Sequence, residues 1–120
     1  QVYGDGTQSR CFCHVHDTVA ALLGLVREPA AEGAIFNVGS QESISIDRLA
    51  DRVLELTGSS AGKTYVPYEK AYEPGFEDMQ RRMPDTERLE ALLSWRPRRS
   101  LDDMILEVRD YVAEQLETGS

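Results

Sequence analysis

A chain of 120 residues, 41% hydrophobic and 28% charged, has the size and make-up of one domain with a buried core. Thirteen basic against 21 acidic residues give a net charge of −8 and a pI near 4.7, which argues against nucleic acid, since most of this surface repels phosphate. No apolar run reaches membrane-span length and no secretory signal is read, so neither a membrane nor export is expected and the expected compartment is the cytoplasm.

The predicted elements follow in chain order. Gln1 to Tyr3 reads as the tail of a strand, and Gly4-Asp5-Gly6 as a turn. A chain that starts on Gln1 and runs directly into a strand is expected to be a piece of a longer one, a processed natural terminus being the alternative. Arg10 to Val15 is a second strand. Asp17 is the expected N-cap of a helix from Thr18 to about Arg27, with Val19, Leu22, Leu23 and Val26 on one face. Pro29 and Gly33 bound a loop, and Ala34 to Val38 is a short buried strand ended by Gly39.

Ser45 caps a helix carrying Ile46, Leu49, Val53, Leu54 and Leu56, and Gly58 stops it. Thr64 to Tyr68 is a strand ended by Pro67. A long loop runs through Glu73-Pro74-Gly75-Phe76 to Pro84. Asp85 or Thr86 opens a helix to about Leu93, and Leu101 to Leu116 forms the last one. The expectation is a single α/β unit over residues 1–120, a small mixed domain of short strands and about four helices.

Charge is unevenly placed. Between Met79 and Ser100 six arginines face three carboxylates, a local balance of +3 in an acidic protein. Reversed local charge suits an anionic ligand, because field strength depends on nearby groups. Arg10 is a second cationic station, and two separated guanidinium forks match the oxygens of a diphosphate. For Arg88, Arg98 and Arg99 a solvated helix face with ion pairs is the better reading.

Several motif-like stretches do not survive their context. Thr57-Gly58-Ser59-Ser60-Ala61-Gly62-Lys63-Thr64 looks like a phosphate-binding loop but is one residue short between its glycines, and it follows a helix instead of preceding one. Gly4-Asp5-Gly6-Thr7-Gln8-Ser9 starts like a dinucleotide fingerprint, yet position 9 is serine and a strand follows. Cys11-Phe12-Cys13-His14-Val15-His16 offers four soft ligands, but in a strand the cysteines share one face and the histidines the other, so no metal is expected. A disulfide between Cys11 and Cys13 would close too tight a ring, so free, buried thiols are expected. There is no serine elbow, and neither Lys63 nor Lys70 follows a tyrosine by four residues, so no catalytic residue is assigned.

Three landmarks occur in order along the chain. Val2-Tyr3-Gly4-Asp5-Gly6-Thr7-Gln8-Ser9-Arg10 through Asp17, then Asn37-Val38-Gly39-Ser40, then Arg81-Arg82-Met83-Pro84-Asp85 with Leu93-Ser94-Trp95-Arg96-Pro97 and Ser100-Leu101-Asp102-Asp103, together resemble the C-terminal portion of extended short-chain dehydrogenase/reductases acting on nucleotide sugars. These are epimerases, dehydratases and decarboxylases; their last landmark usually has glycine where Ser94 stands.

The resemblance implies that the chain is the nucleotide-sugar-binding lobe of an NAD-dependent epimerase or dehydratase. Tyr3 would lie against the nucleobase, with plain core packing as its alternative. Arg10 and Arg82 would clasp the diphosphate, Asp85 would accept from ribose hydroxyls, and His14 would stand near the ligand. It also implies a Rossmann domain that holds NAD and a catalytic tyrosine–lysine pair. Neither is found in these residues, so the chain alone is expected to bind no cofactor and to be inactive.

A stand-alone binding or regulatory module of the same fold is the alternative. A ligand-free structural fragment and, last, a small metalloprotein stay behind it. A homodimer with Val2, Tyr3, Phe12 or Phe76 at the contact is the expected consequence of an uncovered lobe.

Overall fold

The computed structural model describes residues 1–71 and 79–119. Glu73 to Phe76, where the sequence predicts a loop and a contact residue, lies outside them. In chain order the elements are β1 (Val2–Tyr3), β2 (Ser9–Cys11), α1 (Val15–Arg27), a single 3-10 turn (Pro29–Ala31), β3 (Ser43–Ser45), α2 (Ile46–Thr57), β4 (Tyr65–Val66), α3 (Tyr68–Ala71), α4 (Glu87–Leu93) and α5 (Leu101–Thr118). The architecture is mixed α/β, with five helices among the described residues where about four were expected; the addition is α3, which takes over Tyr68 from the predicted strand.

Two small sheets organise the lobe. β1 pairs with β4 in parallel, Val2 opposite Tyr65 and Tyr3 opposite Val66. β2 pairs with β3 antiparallel, Arg10 opposite Ile44, and its other edge is bridged in parallel at Ser9 to Arg81. The turn between β1 and β2 is fixed by sterics. Gly6 has φ of 75°, and a Cβ there would lie 2.9 Å from the Cβ of Asp47, so only glycine allows so close an approach. That approach lets Gly6 and Gln8 carbonyls accept from the N–H groups of Asp47 (2.9 Å) and Ile46 (3.0 Å). The first donors of α2, orphaned in any helix, are thus satisfied by the turn.

Residues α2 and α5 form the firm side. Ser45 caps α2 by accepting from the Arg48 N–H, and Gly58 at φ 64° ends it, as the sequence predicts. Ser100 and Asp103 form a capping box at the start of α5. The Arg52 guanidinium forks onto the Asp102 carboxylate, with Nε to Oδ1 at 2.7 Å, and ties the two helices together.

The start of α1 differs from expectation. The strand ends at Cys11, not Val15, and the N-cap is His14, whose Nδ1 accepts from the His16 N–H at 3.1 Å. A ring nitrogen is as able as a carboxylate to serve an orphan donor, and this frees Asp17 for another task. Asp17 is only 4% exposed. Its Oδ2 accepts from the backbone N–H of Arg98 (3.1 Å) and Arg99 (3.0 Å), and its carbonyl accepts from Trp95 Nε1 (3.1 Å). It is a bolt between α1 and the 95–99 segment.

Residues 34–38 form no strand and are not buried; Ile35 is 80% exposed. A strand exists only beside a ladder partner, and among the described residues no backbone acceptor serves the N–H groups of Ile35 to Val38. Val2, in contrast, is 3% exposed and forms the apolar core with Ala21 and Leu89, which removes it as a contact for a partner copy. The radius of gyration is 17.5 Å, against about 14 Å for a compact domain of this length.

Candidate functional site

The 79–86 segment is the spine of the site. Ser9 N–H donates to the Gln80 carbonyl at 2.8 Å, and Arg10 Nη1 donates to the Met79 carbonyl at 2.7 Å. With Ser9 bridged in parallel to Arg81, the two backbones run side by side at about 4.8 Å, and the next residue on each is an arginine: Arg10 and Arg82. Arg10 is half-buried and Arg82 exposed. Two like charges on neighbouring backbone runs repel, and an anion between them turns that repulsion into attraction.

Further along, the spine is fastened to the 36–39 run. Asn37 Nδ2 donates to the Asp85 carbonyl at 3.0 Å, and Pro84 packs on Gly39, where a Cβ would come within 2.9 Å of the proline Cγ. Asp85 is exposed, and its Oδ1 accepts from the Glu87 N–H at 3.0 Å at the start of α4, although Thr86 is the N-cap residue and makes no side-chain cap bond. Tyr3 ends β1 with 41% exposure. Its carbonyl accepts from Gln8 Nε2 at 3.0 Å, so Gln8 braces Tyr3 from within the turn that leads to Arg10. Gln8 is 5% exposed, and its Oε1 has no hydrogen-bond partner among the described residues.

His14 is placed differently from the other four. It is 8% exposed, with Nδ1 used by the cap and Nε2 paired to Glu107 Oε2 of α5 at 2.7 Å. Because Nδ1 accepts, the neutral ring carries its proton on Nε2 and donates it to the carboxylate. Both polar atoms are spent inside the fold. The structure runs the backbone at Arg10 alongside the segment that carries Arg82 and Asp85, sets Tyr3 across the glycine turn, and gives His14 to the α1–α5 joint.

Charge around the site has identifiable causes. Burial alone pushes the Asp17 carboxyl up, but the N–H groups of Arg99 and Arg98, the Arg99 guanidinium and His14 outweigh it, so its pKa falls below the usual carboxylate value. Asp47 is held low by Lys63 first, at 2.7 Å, and then by the Tyr65 hydroxyl. Arg99 therefore serves a buried carboxylate and not a solvated face, and Arg88 stacks 5.3 Å from the Phe36 ring centroid.

A groove of about 1200 Å³ lies elsewhere, between β3, α2 and the 95–104 segment. None of the five predicted residues lines it. Three of its arginines, Arg52, Arg96 and Arg99, are paired to Asp102, Glu90 and Asp17. Cys11 and Cys13 are free and half-buried rather than buried. Among the described residues no group of three or more His, Cys, Asp or Glu is placed to hold a metal ion, and no helix is long and apolar enough to cross a membrane.

Sequence reasoning passed over Asn37, Asp17 and Gln8. Asn37 lay within a quoted landmark without a role; Asp17 looked like a cap, and a buried partner more than seventy residues away leaves no local trace.

Comparison with known proteins follows the same outline. Residues 1–108 match the model of the family described as GDP-mannose 4,6 dehydratase. The UDP-N-acetyl-alpha-D-glucosaminuronate decarboxylase of Bacillus cytotoxicus is 37% identical over 113 residues, which cover 94% of this chain and 35% of that protein. UDP-D-apiose/UDP-D-xylose synthase 2 of Arabidopsis thaliana is 29% identical, covering 88% and 30%. The crystal structure of UDP-glucuronic acid 4-epimerase from Bacillus cereus, in complex with UDP-glucuronic acid and NAD, superposes with a TM-score of 0.81 at 25% identity, covering 94% of this chain and 34% of that one. UDP-glucose 4-epimerase from Thermotoga maritima, solved with UDP-glucose, gives 0.78 at 26%, covering 97% and 36%. The chain thus spans about a third of the length of the relatives it matches.

Proposed function

This chain belongs to the GDP-mannose 4,6-dehydratase family of extended short-chain dehydrogenase/reductases, and on that premise we propose that it is the nucleotide-sugar-binding part of an NAD-dependent epimerase or dehydratase. The observation that supports the reading is the parallel bridge of Ser9 to Arg81, with Arg10 donating to the Met79 carbonyl, so that Arg10 and Arg82 follow on adjacent backbone runs. Each guanidinium forks onto one phosphate of a nucleoside diphosphate. Tyr3 offers its ring to the base, and the Asp85 carboxylate accepts from ribose hydroxyls. His14 is committed to the α1–α5 joint through Glu107 and takes no part in this reading.

NAD itself does not fit the described residues. The one turn with a fingerprint-like start, Gly4 to Ser9, leads into β2 and not into a helix, so a pyrophosphate there meets no helix N-terminus. We therefore read hydride transfer as work for a separate Rossmann domain, and the 120-residue chain as inactive alone. Two free thiols fit a reducing, cytoplasmic setting.

The test is a titration of the chain with UDP and UDP-glucuronic acid, followed by amide NMR. Shifts are expected at Tyr3, Arg10 and Arg82, and Arg10→Ala or Arg82→Ala should weaken binding roughly tenfold to a hundredfold, the equivalent of a lost charged hydrogen bond. Shifts confined to other surfaces would sink the assignment.

A further inference from the structure

Among the described residues, Gln8 Oε1 is the one buried side-chain polar atom without a hydrogen-bond partner. The other end of the same amide is used: Nε2 donates to the Tyr3 carbonyl at 3.0 Å. Glutamine is seldom buried as deeply as Gln8, which is 5% exposed, and a buried acceptor left unmade works against folding. An apolar side chain of the same length would fill the space without that penalty. A buried polar group that stability does not explain points to a use.

What Gln8 joins says what the use is. Its carbonyl accepts from the Ile46 N–H of α2 at 3.0 Å, and the next N–H, that of Ser9, donates to the Gln80 carbonyl at 2.8 Å. Arg10 follows at once and donates to the Met79 carbonyl. Backbone bonds thus fasten Arg10 to α2 and to the run that carries Arg82. Tyr3 lies on the far side of a turn with two glycines in the left-handed region, Gly4 at 72° and Gly6 at 75°. Glycine leaves such a turn free to flex. The Gln8 amide reaches back across it and ties Tyr3 directly to the frame that holds the arginines.

We propose that Gln8 is a positioning residue of the nucleotide site: by holding the Tyr3 carbonyl it fixes the span from the base-facing ring of Tyr3 to the diphosphate-facing Arg10, so that a nucleoside diphosphate meets both at once. This rests on the nucleotide-sugar reading above and adds to it a side chain that touches no ligand. Two subsites held at a fixed span bind a linked ligand more tightly than its pieces, because seating one end places the other. A loose turn lets each piece bind and forfeits the gain from linkage.

The test compares UDP with its two halves, uridine and inorganic pyrophosphate, by NMR titration of the 120-residue chain. Gln8→Met keeps the length and removes both polar atoms. Its affinity for UDP should fall about tenfold, while each half binds as it does to the wild type and Tm stays near the wild-type value. An unchanged affinity for UDP overturns the proposal. So does a parallel loss for all three ligands or a clear fall in Tm, either of which makes Gln8 a part of the scaffold only. A second readout needs no variant: the shift of the wild-type Gln8 side-chain amide with UDP should exceed the sum of its shifts with uridine and with pyrophosphate, and a simple sum counts against the role. A wild type that holds UDP no more tightly than pyrophosphate removes the base contact, and the proposed function falls with it. A wild type that shows the gain while Gln8→Met keeps it removes the role of Gln8 and leaves that function standing.

Discussion

The two sides of this lobe are built to different standards. On one side α2 and α5 are capped at both ends, pinned to each other by the Arg52–Asp102 fork, and fed by the glycine turn. On the other, α1 is bolted only at its N-terminal end through His14 and Asp17, and most of its length shows an apolar stripe to solvent. The N-terminal end of α1 is capped and anchored by hydrogen bonds, whereas its apolar stripe is exposed. Hydrogen bonding at a helix end can be settled while apolar burial along its length is not, since the first is settled locally and the second scales with area.

That contrast can be broken most forcefully at Leu89. It is 0% exposed, so Leu89→Ala should cost about 2–5 kcal/mol, whereas Val26→Ala on the open stripe should stay within about 0.5 kcal/mol of wild type. Paired urea titrations decide it, and equal losses would mean that α1 is packed after all.

The bolt comes next. Asp17→Asn keeps the shape but gives up the charge that two N–H groups and Arg99 solvate, for a loss of about 1.5–3 kcal/mol at pH 7. Because the folded-state pKa of Asp17 is lowered, its contribution is complete above the unfolded value of about 3.9 and fades as pH falls through the folded one. The gap between wild type and variant should therefore be constant from pH 7 to about pH 5 and close in more acid solution. A gap that widened on acidification would contradict the sign.

The smallest effect belongs to the exposed fork. Arg52→Ala should lower Tm by less than Asp17→Asn does, and the difference should shrink in 1 M NaCl, as screening predicts for a half-exposed pair. A loss indifferent to salt would show that packing of the arginine stem, and not its charge, joins α2 to α5.

How much of this could be read from the sequence follows from the range of each interaction. Helix α2 was legible from end to end because Ser45 and Gly58 act on their own neighbours. The start of α1 was misplaced because two local caps competed, and the winner depended on where Arg98 and Arg99 would arrive. Ala34 to Val38 has the composition of a strand, but a strand is a property of two segments and composition describes one. The meeting of Arg10 with the 79–82 segment joins residues about seventy apart; no periodicity announces it, and only the order of landmarks shared with the family pointed there.

The chain contains a single tryptophan, Trp95, and its indole N–H is held by the Asp17 carbonyl where α1 meets the 95–99 segment. Its emission is therefore a built-in optical gauge of that one joint. Far-ultraviolet circular dichroism follows the helices as a whole, so any lag between the two signals during denaturation times the loosening of α1 against the melting of everything else.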